Sequence, residues 1–267
     1  MSYTTDPRRL GGVARLYGEK GAERLARSHV VVVGTGGVGS WAAEALARTG
    51  VGRLTLIDGD KSALSNTNRQ LHAMDGNYGQ YKVELLKARF ALINPELEVS
   101  AITAFVTAEN AERLLPKDAD WVVDCIDDLK GKTVLVATAK RLGCKVVVSG
   151  GAGGKRRPSE LVEEDLARIK GDPLAAKLRT NLRRDYGFPA GSASGKAKKF
   201  GILAVTSAEA VKQPDAENLA AVGARSGERI GFGSGIVVTG SVGLRLAAIV
   251  INDIVENGPV HATANAD

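Results

Sequence analysis

Asp58, Asp60, Asn66, Arg69, Lys82 and Asp127 are the side chains whose types and spacing suggest chemistry. Asp58 closes an apolar run, where an acid is placed to accept hydrogen bonds from ribose hydroxyls. Asp60 follows it into a polar loop. In that loop Asn66 and Arg69 bring an amide and a guanidinium a few residues apart, suited to clamping a triphosphate bidentately. Lys82 is a point charge at a helix start, where the helix dipole gives it nothing; its plainer alternative is a surface lysine. Asp127 lies just beyond another apolar run, the position of a carboxylate that holds Mg2+ with substrate phosphates. Its alternative role is to cap the helix from Lys130 onward, which Asp128 is also placed to do.

These side chains need a scaffold, and the stretch 29–60 supplies its first unit. His29 to Val33 reads as a buried strand that breaks at Gly34, Gly36, Gly37 and Gly39. A helical pattern follows, with Trp41, Ala45 and Leu46 on one side, and a second strand from Arg53 to Ile57 ends on Asp58. Gly34 allows the tight turn, Gly36 lets the backbone approach a phosphate, and Gly39 lets the helix pack on the strand. The free N–H groups of the helix start then face an anion. With Asp58 nineteen positions beyond Gly39, strand, glycine turn, helix, strand and acid form a nucleotide fingerprint.

Beyond this unit the chain alternates helix and strand. Residues 1–10 form a loose tail, and 16–28 is helical, opened by Arg15. The polar stretch 61–81 reads as a site loop. A helix spans 81–94, a strand 98–103, a helix 108–115, a buried strand 120–126, a helix 130–142 and a strand 145–149. Near-continuous Val/Ile strands between helices imply a Rossmann-like α/β fold, a mainly parallel sheet with helices on both faces. Ligands bind beyond the carboxyl ends of such strands, so Asp58, Asp127 and Gly150 should converge. After Gly150 come a basic segment, a strand at 202–206, and a strand or turn leading into a closing helix by residue 256. We read one domain over 1–267, with a nucleotide-binding core at 29–150 and a basic insertion at 151–200.

Composition is that of an ordinary globule, 44% hydrophobic and 25% charged. Two cysteines, Cys125 and Cys144, make no disulfide framework and suit a reducing cytosol. Both read as packing residues. The N-terminus shows no apolar signal core. The apolar run 236–251 contains Arg245 and several glycines, so a buried terminal helix is expected rather than a membrane span. The net charge is +6, and residues 155–199 carry twelve basic and six acidic residues, an excess equal to that of the whole chain. Within this segment 173–188 is an amphipathic helix, with Leu174, Leu178 and Leu182 inward and Lys177, Arg179, Arg183 and Arg184 outward. Such a face fits a polyanion; a solvated lysine-rich excursion is the alternative. Residues 191–199 have the composition of a mobile loop.

Together these motifs carry a resemblance. GxGGxG, then DxDxxxxSNxNRQ at 58–70, Gly79-x-x-Lys82 and DCIDD at 124–128 resemble the adenylation domain of the ubiquitin-activating superfamily, with its sulfur-carrier adenylyltransferases. Over nearly the full length the chain is most similar to the tRNA threonylcarbamoyladenosine dehydratases, through RLYGEK at 15–20, NTNRQLHA at 66–73, GGAGG at 150–154, DPLAAKLR at 172–179 and GFGSG at 231–235. That family uses ATP to adenylate the threonylcarbamoyl carboxylate on the adenosine beside the anticodon of tRNA, and the side chain cyclises with loss of AMP. The resemblance implies that Gly36, Gly37 and Gly39 cradle phosphates and Asp58 holds the ribose. It gives Asn66, Arg69 and Lys82 to the triphosphate and Asp127 to Mg2+. Arg15 would reach the nucleotide of the other subunit of a homodimer. It leaves open a sulfur-transfer protein partner.

Absences separate the competing readings. Activators that form a thioester or persulfide need a cysteine after the sheet, and 151–267 has none. Some dehydratase relatives carry a thiol where Ile230 stands here. His29 reads as structural and His72, in the site loop, as a contact for ATP. The runner-up is a sulfur-carrier adenylyltransferase acting on a protein C-terminal Gly-Gly without a catalytic cysteine. A third reading is an NAD-dependent oxidoreductase or a nucleotide sensor.

Overall fold

A computed structural model of the chain describes residues 6, 8–191, 197–212 and 232–261. Helix α1 (Gly11–Ala26) precedes β1 (His29–Val33), α2 (Gly39–Arg48) and β2 (Arg53–Ile57). Then follow α3 (Lys82–Ile93), β3 (Glu98–Ile102), α4 (Ala111–Leu114), β4 (Trp121–Asp124), α5 (Leu129–Arg141) and β5 (Lys145–Ser149). The chain closes with β6 (Leu161–Asp165), α6 (Pro173–Tyr186), β7 (Leu203–Ser207) and α7 (Ile236–Asn257). The strands form one sheet in the order β3-β2-β1-β4-β5-β7-β6. All neighbours are parallel except β6 against β7.

The valine-rich strands pack on both faces. Val30 and Val32 join Leu46, Leu86, Phe90 and Leu246 on the face covered by α1, α2, α3 and α7. Val31 and Val33 join Leu114, Leu135 and Leu178 on the opposite face, under α4, α5 and α6. The period of two in a strand produces this division, and burial on both sides explains why the runs are uniformly apolar. Chain order reverses between β1 and β4, so the loops after these strands diverge and leave a crevice at the carboxyl edge.

Several expectations are revised. The basic segment contributes β6 to the sheet edge, where only Leu161 and Asp165 are buried. A strand with three exposed central residues gives no apolar run to read. The helix expected over 108–115 is a single turn, Ala111–Leu114. Helix α6 starts as expected, with Asp172 Oδ1 accepting from the Ala175 N–H at 2.9 Å and Pro173 in the first turn. It stops at Gly187, in the left-handed region at φ +68°. Its charged face differs from the amphipathic reading. Arg179 Nη1 donates to the carbonyls of Leu166 and Ile169 at 3.2 and 2.8 Å, and Arg183 Nε to Pro189 O at 3.0 Å. Arg183 also lies 5.3 Å from the Phe200 ring. Both guanidiniums therefore fold back onto the protein, whereas Lys177 and Arg184 remain exposed. Leu174 is half-buried rather than inward. The loop expected at 191–199, and Ile230, fall largely or wholly on positions outside the described residues.

Helix α7 is long and apolar enough to cross a membrane by composition, but it packs on α1, α2 and the sheet with ten residues buried. It is a core helix.

Candidate nucleotide site

The glycine turn sits where β1, β2 and β4 end side by side. Val33 is in register with Ile57 of β2 and Asp124 of β4, so Gly34, Asp58 and Cys125 all leave the sheet at one level. Gly34 has φ +82°, and a Cβ there would meet the Cys125 carbonyl group at 2.9 Å. A Cβ at Gly39 would lie 1.8 Å from the Gly34 carbonyl oxygen. These two positions admit no side chain, because α2 must start directly against the strand. The Gly36, Gly37 and Val38 N–H groups find no acceptor among the described residues, and all three residues line a cavity of 1210 Å³. Unpaired N–H groups at a helix start form an anion site.

Asp58 locks the turn. One carboxylate oxygen accepts from the Thr35 N–H at 2.7 Å and the Thr35 hydroxyl at 3.0 Å; the other accepts from the Asp60 N–H at 2.8 Å. Lys82 is buried at the first turn of α3, and its Nζ donates to Asp60 Oδ2 at 2.7 Å. This partner accounts for a lysine at a position the helix dipole disfavours. Asp60 is itself half-exposed, so the ammonium stands just behind the cavity surface. Arg69 lays its stem over Gly37, 3.1 Å from the place a Cβ would take, and donates to Ser65 O and Asn68 Oδ1, each at 3.0 Å. Its carbonyl accepts from Trp41 Nε1 at 3.0 Å, which pins the site loop to α2. Asn66 Oδ1 accepts from the Ala63 N–H at 3.1 Å, and Asn66 lines the cavity.

The β4 end supplies the acid. Asp128 caps α5, accepting from the Gly131 N–H at 2.7 Å, and this frees Asp127. Asp127 is exposed, lines the cavity and has no partner among the described residues. Its loop is held from below by the buried pair Lys132–Asp124 at 3.0 Å, with Lys132 Nζ also donating to Ile126 O at 3.0 Å. Burial pushes the Asp124 carboxyl up, and the Lys132 charge opposes that shift.

All of Gly34, Gly36, Gly37, Asp58, Asp60, Asn66, Arg69, Lys82, Asp127 and Gly150 therefore line one cavity, while Gly39 stands behind it. Arg15 does not line it; that side chain is exposed on α1. His72 is buried behind the turn, with Nε2 3.1 Å from Thr35 O, so it supports the loop rather than touching a ligand. His29 is structural, 2.8 Å from the Thr55 hydroxyl. Cys125 lines the cavity, but burial pushes its thiol well above the ordinary range. Sequence reasoning missed the 104–109 segment after β3, where Phe105 covers Gly59, and the α6 residues Asn181 and Tyr186, whereas Arg184, expected on the polyanion-facing side of that helix, also lines the cavity. The rule that strand ends build the site applies to β3 as well and would have found the first.

A Rossmann-like sheet whose carboxyl edge gathers a glycine turn with unpaired N–H groups, acids, an amide, an ammonium and a guanidinium in one cavity is the frame of a nucleotide-handling enzyme. The chain belongs to the ThiF family, whose model matches residues 9–170. It is 42% identical over 242 residues to the tRNA threonylcarbamoyladenosine dehydratase of Escherichia coli (strain K12), covering 88% of this chain and 89% of that one. Crystal structures of the E. coli dehydratase TcdA superpose closely. The complex with AMP gives a TM-score of 0.84 at 39% identity, covering 96% of this chain and 98% of that one. The complex with ATP gives 0.81 at 39% identity over 96% and 100%.

Proposed function

We propose that this chain is an ATP-dependent dehydratase that cyclises N6-threonylcarbamoyladenosine beside the anticodon of tRNA. The observation that carries this is the coincidence, in one cavity, of the free N–H groups of the glycine turn with Arg69, Lys82 and Asp127, on a chain similar throughout its length to dehydratases of that activity. The substrate carboxylate attacks the α-phosphorus of ATP in line. A carboxylate oxygen–phosphorus bond forms, the bond to the bridging oxygen breaks, and pyrophosphate leaves. A nucleophile of the same side chain then closes on the activated carbonyl and expels AMP. Such chemistry asks the protein mainly to position groups and neutralise charge. Ring closure is intramolecular and gains its rate from proximity.

The glycine turn and Asn66 hold the phosphates, Asp58 the ribose, and Arg69 and Lys82 the charge that develops on the departing pyrophosphate. Asp127, unpartnered at the cavity wall, fits a Mg2+ held by one carboxylate and the phosphates; no group of three or more potential metal ligands exists among the described residues. When bound, that ion supplies further charge neutralisation. The raised Cys125 thiol makes acyl transfer to that sulfur unfavourable, and likeness to a dehydratase over 88% of this chain favours direct cyclisation over the sulfur-carrier reading.

The enzyme works as a homodimer through the α1–α7 face. Leu16 of α1 and Val237 and Leu244 of α7 are exposed, and Arg15, beside Leu16, does not line its own cavity and serves the neighbour's. A tRNA substrate fits a cytoplasmic location. The test incubates purified protein with ATP, Mg2+ and threonylcarbamoylated tRNA. A loss of one water from the nucleoside mass, with AMP release, is expected. An unchanged mass overturns the reading, and pyrophosphate exchange driven by a Gly-Gly-ended carrier protein without RNA would replace it.

A further inference from the structure

Pockets for one small ligand run to about 1000 Å³, and this cavity is larger at 1210 Å³. It also crosses the carboxyl edge of the sheet, from Val38 at the start of α2 and Thr239 of α7 on one face to α6 on the other. The nucleotide-handling groups stand at the α2 side, where Phe105 covers Gly59 next to the ribose acid. The α6 side offers different chemistry: Leu174, Asn181, Arg184 and Tyr186. Tyr186 is 44% exposed and makes no ring contact with another aromatic among the described residues. Phe188, two residues on, packs edge-on against Phe200 at 4.9 Å. Gly187 ends the helix, so Tyr186 occupies its last position at the cavity wall. Beside it Arg184 is held by Asp185 through two hydrogen bonds of 2.6 and 2.7 Å. An exposed pair of this kind adds little to stability, so folding does not explain its place at the wall.

We propose that Tyr186 and Arg184 form the subsite for the target nucleoside. The Tyr186 ring stacks on the everted adenine, and Arg184 faces the adjoining phosphodiester. RNA-binding proteins commonly read unstacked loop bases on aromatic faces and guanidinium planes. This inference rests on the dehydratase reading and names the part of the cavity that receives its RNA. It also explains the size of the cavity, since two adenines, one from ATP and one from tRNA, must be held together for in-line attack.

The test compares Tyr186→Leu, Tyr186→Phe and Arg184→Ala in the full chain, measuring KM for threonylcarbamoylated tRNA and, separately, ATP binding without RNA. Tyr186→Leu should raise KM for tRNA on the order of 10-fold, the loss typical of one base–aromatic stack. ATP affinity and melting temperature should stay at the wild-type value. Tyr186→Phe, which keeps the ring, should restore most of the loss. Arg184→Ala should raise the same KM and flatten its salt dependence. A wild-type KM in Tyr186→Leu, or an equal loss of ATP binding, overturns the subsite. Tyr186→Trp gives an independent readout: its added fluorescence should be quenched by the modified anticodon stem-loop without ATP, and an unquenched signal also overturns it. An inactive wild-type enzyme would instead remove the dehydratase reading itself.

Discussion

Arg69 and Asp127 differ in how they are held. Among the described residues the Arg69 guanidinium has only a carbonyl and an amide oxygen as partners, with no acid paired to its charge. That charge is available to phosphate oxygens. Arg69→Ala should lower the rate of AMP formation about 100-fold or more, the scale of losing one preorganised donor to developing charge. Radiolabelled ATP consumption with modified tRNA measures this, and a loss under about 3-fold would return the guanidinium to a loop-shaping role. Cys125 makes the opposite case, since a thiol held neutral by burial contributes no nucleophile. Cys125→Ala should therefore keep full conversion of the nucleoside in mass spectrometry, and loss of turnover would point to a covalent sulfur step.

At the level of elements, buried His72 supports the glycine turn from behind, and a second imidazole, His29, is buried at the opposite, amino end of β1 against Thr55 and Asp118. Desolvation holds both His29 and His72 below the ordinary value of 6.5. Each therefore binds its proton less readily in the folded state than in the unfolded chain. The stability from their burial is fully present above 6.5 and is lost as pH falls from there toward the depressed folded values. The urea midpoint should fall between pH 7 and pH 5, before the carboxylates titrate. His72→Gln should flatten that slope, and an unchanged slope would place the acid sensitivity elsewhere. The turn itself was fully legible in the sequence, because Gly34 and Gly39 report steric demands that no other residue meets. Strands such as Val30–Val33 were legible for the same kind of reason: burial on both faces leaves one residue class. β6 was not, since an edge strand with Val162, Glu163 and Glu164 exposed has no pattern to show. Tyr186 was not either, because nothing local reveals that a helix of the basic segment closes a cavity opened by β1.

On the scale of the whole molecule, the proposed homodimer and the proposed tRNA contact call on two different surfaces. Helix α7 exposes two large apolar side chains, Val237 at 58% and Leu244 at 51%. Val237→Glu with Leu244→Glu should convert the dimer to monomer in sedimentation, and activity should fall with it if Arg15 completes the neighbour's site. The second surface carries the charge excess of 155–199, and only part of that excess is free to meet RNA. Arg179 and Arg183 satisfy backbone carbonyls inside the fold, whereas Lys170 and Lys177 are exposed without a partner among the described residues. Counterion release counts only cations that reach phosphates. Lys170→Ala with Lys177→Ala should therefore lower the salt slope of tRNA binding by about 1 to 2 and leave the melting temperature alone. Arg179→Ala should do the reverse, costing about 1 to 3 kcal/mol by stranding two carbonyls while the slope holds. Binding isotherms across salt concentrations, paired with thermal melts, separate the two groups. Equal salt slopes for both variants would mean that the RNA lies across another face.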